Sequence, residues 1–326
     1  MSDSPLIMGL NGTLVDVRSC NPDICPMEYA QLDYIPSKSV NAAYLAIFAI
    51  FLVVHLGQGI YYRTWGFMSG MVIGLLLECI GYGARLGLNA NVFSFDFFVM
   101  YLVCLTIAPA FISASIYLCL SRIVVVVGED IAPFKPRTYT LTFMVCDFVS
   151  LLLQAVGGAI AASSDDPNNG GVDIMVAGLA FQVVSLALYM GVAADFLRRG
   201  RKAHESQFNP RFNHVRTDAL FRWMAIGLAV ATILIFIRCV YRVAELSKGF
   251  NSELANDEVA FDILEGPMIW LAVFALTLIH PGSCFRGAFR EADWTWRANK
   301  KDMGSSTFYP KGASEENSIE MGGIRP

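Results

Sequence analysis

Phe67-Met68-Ser69-Gly70-Met71-Val72-Ile73-Gly74-Leu75-Leu76-Leu77-Glu78-Cys79-Ile80-Gly81-Tyr82-Gly83-Ala84-Arg85 is an apolar run that closes on an acid and a base. At about 1.5 Å per residue, a helix over this run crosses most of a hydrocarbon core of about 30 Å. Glu78 and Arg85 are two helical turns apart, on one face and roughly 10 Å apart along the axis. Ionisable side chains at membrane depth are costly, and they face a bundle interior or a watery cavity. Gly81 and Gly83 thin the surface between them, so that a second helix or a ligand can come close. This stretch is the expected core of the functional site.

The rest of the chain has the same character. Of its 326 residues 55% are hydrophobic and only 16% charged, too little charge for a soluble domain of this size. Apolar runs predict seven spans: Val40–Tyr61, Phe67–Leu88, Phe97–Val127, Tyr139–Ala162, Val172–Leu197, Leu220–Tyr241 and Ala260–His280. The expectation is an all-α integral membrane protein, a seven-transmembrane helix bundle. Residues 1–39 form a tail, 40–282 the membrane domain, and 283–326 a second tail, expected to be disordered and open to phosphorylation after Gly304.

Orientation follows from the loops. Arg63, Lys135, Arg137, the segment Arg198–Arg216 and the C-terminal tail carry the basic residues. The alternate loops are neutral or acidic, with Asp165, Asp166, Glu253, Asp257 and Glu258. The positive-inside rule places the C-terminus in the cytoplasm and, with an odd number of spans, the N-terminus outside. The N-terminal tail agrees, with the glycosylation sequon Asn11-Gly12-Thr13 and a Cys20–Cys25 pair suited to a disulfide. The basic Arg198–Arg216 loop either sets topology alone or also contacts anionic lipid head groups.

Polar residues recur inside the spans. Asp147, Ser150 and Gln154 share a face of the fourth span, which runs on into Gly157-Gly158; Gln182 lies in the fifth. Pro109 is expected to kink the third span and free a carbonyl. Arg238, Arg242 and Glu245 make a charged stripe on the sixth, and Glu265-Gly266-Pro267 opens the seventh. One reading gathers these groups into a single polar cavity opening outward. Glu78, Arg85, Arg238, Arg242, Glu245 and Glu265 would line its outer half, with Asp147, Gln154 and Gln182 as its floor. The alternative is that they pair with one another, Arg238 with Glu245 and Asp147 with Gln154, and only fix the bundle. His280, before Pro281-Gly282, reads as a helix-end cap.

Enzyme chemistry finds little support. A zinc hydrolase needs about three converging ligands, and only His55 and His280 lie in or at the spans, with no HExxH motif. There is no GxxxxGK[ST] loop for a nucleotide. No catalytic residue, metal, cofactor or nucleic-acid partner is expected.

Several of these motifs, taken in order, resemble the fungal RTA-like, or lipid-translocating exporter, family. They are Glu78–Arg85, Leu105–Tyr117 with Ser121-Arg122, Asp147–Gly158, Gly178–Gln182, Arg238–Glu245, Glu265–Met268 and His280–Gly282. The resemblance implies seven spans, an outside N-terminus and a fungal plasma or vacuolar membrane. It also implies export of sphingoid long-chain bases, resistance to toxic amphiphiles, or porphyrin uptake. The expected function is translocation of an amphiphilic lipid, most simply a sphingoid base. The alternatives are a lipid-sensing receptor without flux, and a porphyrin or haem carrier with His55 as first iron ligand. The expected substrate-binding set is Glu78, Tyr82, Arg85, Asp147, Gln154, Gln182, Arg238, Arg242, Glu245 and Glu265. Glu78 or Glu265 would receive the amino group, with Arg85 and Arg242 orienting the head.

Overall fold

The computed structural model describes residues 6–8, 10, 13–16, 20–21, 23–30, 32, 34–163, 170–247, 257–286, 288–289 and 291–292. Asn11, the acidic residues Asp165, Asp166 and Glu253, and the tail beyond residue 292 lie outside them.

An antiparallel pair, β1 (Leu6–Met8) and β2 (Leu14–Asp16), precedes the helices, with Ile7 opposite Val15. The helices are α1 (Lys38–Tyr62), α2 (Trp65–Ala90), α3 (Phe95–Val127), α4 (Pro136–Ser163) and α5 (Gly171–Lys202). They are followed by α6 (Asn213–Arg216), α7 (Ala219–Leu246), α8 (Glu258–Leu264), α9 (Gly266–Leu278) and α10 (Pro281–Cys284). Among the described residues seven helical segments are long and apolar enough to cross a membrane: α1 to α5, α7, and the segment Glu258–Cys284 that contains α8 and α9.

Capping sets the helix starts where the apolar runs begin. Ser94 Oγ accepts from Phe97 N before α3, and Asp257 Oδ1 accepts from Val259 N and Ala260 N before α8. Large apolar side chains such as Ile50, Val53, Phe148 and Leu188 remain on the surface, as a hydrocarbon environment requires. Exposed Tyr61, Trp65 and Trp223 sit at helix ends beside the basic loops, where amphipathic rings favour an interface.

Glycines set the closest helix contacts. A Cβ on Gly157 would fall on the backbone of Met175, and one on Gly171 on the backbone of Ala161, so α4 and α5 meet backbone to backbone. Gly70 and Gly74 bring α2 close to the Phe111 and Ala108 carbonyls of α3, and Gly81 receives the Leu105 side chain. Gly81 is therefore filled by Leu105, whereas a Cβ at Gly83 would meet open space. The expected opening beside Glu78 and Arg85 is thus only half present, because α3 packs into it.

The seventh span is not one helix. It breaks at Glu265, where Gly266 and Pro267 start α9. Proline supplies no amide hydrogen, and glycine tolerates the close approach of Tyr44 and Tyr82 at this point. Tyr44 Oη donates to the Asp262 carbonyl at 2.6 Å, satisfying a backbone acceptor next to the break.

Candidate functional site

The charged residues converge in a closed core between α2, α3, α7 and the α8–α9 break. Arg238 is 1% exposed, and its Nη2 donates both to the Leu105 carbonyl and to Glu265 Oε1. Pro109 explains the first bond, since it has no amide with which to satisfy the carbonyl four residues back. The helix break explains the second, because it presents the Glu265 carboxylate to α7. One turn further along α7, Arg242 Nη1 donates to Glu245 Oε2 at 2.6 Å and Nη2 donates to Thr106 Oγ1 at 3.2 Å.

Arg238 thus takes Glu265 as its acid and not Glu245. Arg238 and Glu245 are two turns apart on one helix, roughly 10 Å along the axis, too far for contact. Asp147 likewise does not pair with Gln154. Asp147 Oδ2 accepts from Tyr117 Oη at 3.0 Å, and Tyr117 packs against Tyr189 with ring centroids 4.6 Å apart. Gln154 Nε2 instead donates to Ser150 Oγ at 2.7 Å and to Gln182 Oε1 at 3.2 Å, across the α4–α5 seam.

Glu78 and Arg85 are both buried but make no ion pair among the described residues. Glu78 Oε1 has no hydrogen-bond partner among the described residues, and the charges acting on it are Arg238 and Glu265. Arg85 Nε donates to Asn41 Oδ1 at 2.9 Å and Nη2 donates to Tyr34 Oη at 3.2 Å. Its guanidinium lies 3.9 Å from the centroid of the Phe261 ring, a cation–π contact that replaces a carboxylate. Tyr82 stacks on Phe48, with its hydroxyl turned toward Gly266 and lacking a partner among the described residues.

The ten expected binding residues therefore fall into two groups and one separate residue. Glu78, Tyr82, Arg85, Arg238, Arg242, Glu245 and Glu265 form the charged core; Gln154 and Gln182 form an uncharged seam, with Asp147 beyond them on α4. They do not line one cavity. A cavity of about 540 Å³ lies between α3, α4 and α5, and of the ten only Gln154 lines it. Thr106 stands between this cavity and the charged core, lining the one and accepting from Arg242 in the other.

Asn41, Tyr34 and Thr106 had no signal strong enough to select them. Each is a neutral polar residue in or next to an apolar run, and only its partner identifies it. Asn41, fully buried at the start of α1, is the one a lone amide at the edge of a span could have flagged.

At the opposite end of the bundle His55 Nε2 lies 2.9 Å from Thr277 Oγ1, and His280 Nδ1 accepts from Gly282 N as the cap of α10. The N-terminal segment carries a Cys20–Cys25 disulfide. In the basic loop Arg198 and Arg199 pair with Asp195, Arg216 with Glu205 and Arg211 with Glu291, which reduces the charge offered to anionic lipid.

Residues 71–288 match the family described as RTA1 like protein. The chain is 30% identical over 282 residues to a protein of Saccharomyces cerevisiae (strain Lalvin EC1118 / Prise de mousse) named sphingoid long-chain base transporter RSB1. That match covers 78% of this chain and 74% of the relative. It is 26% identical to protein RTA1 of Saccharomyces cerevisiae (strain ATCC 204508 / S288c), over 73% and 72% of the two chains. To protein RTM1 of Saccharomyces cerevisiae it is 26% identical, over 69% and 70%. No solved structure matches it.

Proposed function

This chain belongs to the RTA1-like family of multi-pass membrane proteins, and from that premise we propose that it transports amphiphilic lipids, with sphingoid long-chain bases as cargo. The relative named as a transporter of such bases, aligned over most of both chains, supports the cargo class. The direction we assign is toward the outer leaflet of the plasma membrane, protecting the cell against toxic amphiphiles. The N-terminus lies outside, in line with the acidic and basic loop pattern.

One observation carries the reading. Among the described residues Glu78 is a buried acid without an ion-pair partner, beside the Arg238–Glu265 pair at the break in the seventh span. A protonated amine is the group that completes such a site, and a carboxylate left unpaired at membrane depth is otherwise costly. Glu78 receives the amino group of the cargo when the bundle opens, with Arg85 and Arg242 orienting the hydroxyls.

The test is flux of a fluorescent sphingoid base from liposomes holding the purified chain, wild type beside Glu78→Gln. Flux in wild type that falls at least tenfold in the variant, with both proteins equally folded, is the expected result. Saturable binding without flux would make the chain a lipid sensor and overturn transport. Undiminished flux in Glu78→Gln would remove Glu78 from the site.

A further inference from the structure

The 540 Å³ cavity lies toward the end of the bundle that carries the N-terminal segment, with Ala30 and Phe98 at one side and Leu246 at its back. Its volume is that of small-molecule binding sites. Its rim includes Val103 of α3, which is 45% exposed, and Ala155 and Ala159 of α4, also exposed on the surface that faces lipid. Along this rim α4 presents Ala155, Gly158 and Ala159, with Leu151 and Gln154 lining the cavity beside them. The cavity therefore opens sideways, into the bilayer.

Two of its lining side chains are polar, Thr106 and Gln154. Thr106 Oγ1 is committed, donating to the Leu102 carbonyl at 2.6 Å and accepting from Arg242. Gln154 is 6% exposed and its Nε2 is held by Ser150 and Gln182, which leaves Oε1 without a partner among the described residues. A buried acceptor of this kind is costly unless something donates to it. Among the described residues no lysine or arginine lines the cavity, so the lining offers a phosphate or carboxylate head no counter-charge.

We propose that this cavity is a lateral portal for a single-chain amphiphile whose head donates hydrogen bonds: the alkyl tail lies along Phe98, Leu102 and Val103, and an amine or hydroxyl donates to Gln154 Oε1. The proposal rests on the transport of amphiphiles proposed above and adds the place of entry. Thr106 puts the bound head one side chain away from the charged core, so the portal leads to Glu78 and Glu265 across α3.

The experiment uses the full chain in nanodiscs and a sphingoid base carrying a diazirine in its alkyl tail. Crosslinks are expected on α3 within residues 98–107 and on α4 within 151–159, suppressed by unlabelled sphingoid base and not by a fatty acid of equal chain length. Ala155→Trp, which fills the mouth from an exposed position, should lower crosslinking at least tenfold. Gln154→Leu should weaken competition by the unlabelled base about tenfold, equivalent to about 1.4 kcal/mol. Ile50→Trp, on the lipid-facing surface of α1, should change neither. Saturable crosslinking elsewhere, or full binding and flux in Ala155→Trp, overturns the portal and leaves transport standing. Full binding in Gln154→Leu overturns the head-group contact. A wild-type chain that neither binds nor moves the base overturns both.

Discussion

Arg238 occupies the carbonyl that Pro109 leaves without a helical donor. The acceptor is Leu105 O, four residues before the proline, and the same Arg238 nitrogen also holds Glu265 at the break in the seventh span. Two proline-linked defects in separate spans are thus joined by one guanidinium. A guanidinium suits this because its planar fork serves several acceptors at once.

Replacing the proline removes the reason for the bond. Pro109→Ala lets residue 109 satisfy Leu105 O within α3, so Arg238 loses an acceptor while the helix gains one hydrogen bond. Sphingoid-base flux should fall at least fivefold while the melting temperature stays equal or rises. A variant that melts lower would mean that the proline is required for packing.

The Arg238–Glu265 pair is nearly fully buried on both sides. Breaking such a pair from one side costs about 3–5 kcal/mol, whereas replacing both partners with apolar groups costs far less. Arg238→Met and Glu265→Leu should each lower thermal stability markedly, and the double variant should recover most of the loss. A double variant as unstable as the sum of the singles would show the two residues to be uncoupled.

Tyr34 lies outside the spans, and its hydroxyl accepts from Arg85. Burial raises its pKa above the ordinary value of 10.0, with the nearby Arg85 charge opposing that shift. A neutral phenol with a raised folded-state value contributes stability that is fully present below the unfolded value and is lost as pH rises through the folded one. Tyr34→Phe should therefore remove about 1.5–3 kcal/mol, the range for a hydrogen bond to a charged group. Its effect should be constant from pH 6 to 9, as measured by thermal melts.

Glycines of equal standing in the sequence differ in their surroundings. At Gly157 an added methyl group meets the Met175 backbone, and at Gly83 it meets open space. Gly157→Ala should lower the melting temperature steeply, whereas Gly83→Ala should raise it, since the helix gains about 0.5–1 kcal/mol. Equal effects would contradict backbone contact between α4 and α5.

Much of the fold is legible in the sequence because a hydrocarbon core imposes one rule on every span: about twenty apolar residues with all backbone groups paired internally. That rule yields the seven segments. The observed helices overrun the expected spans by a few residues at most ends, where capping and not hydrophobicity decides the boundary, as at Asp257 before α8. The break at Glu265 was marked by Gly266-Pro267, although its place within the span, after a full turn and more of α8, was not.

By itself, the sequence determined the helical membrane architecture, the identity of the charged residues and the likeness to the RTA-like family, since all three depend on residue type and order along the chain. Which charge meets which was decided only by the tertiary structure. Spacing along one helix brings Arg242 to Glu245. It says nothing of Arg238 with Glu265, Arg85 with Asn41 and Tyr34, or Tyr117 with Asp147, whose partners come from other segments. The cavity beside Gln154 has the same origin: it is an absence left between α3, α4 and α5 by small residues on α4, and a gap between helices exists only once they are packed.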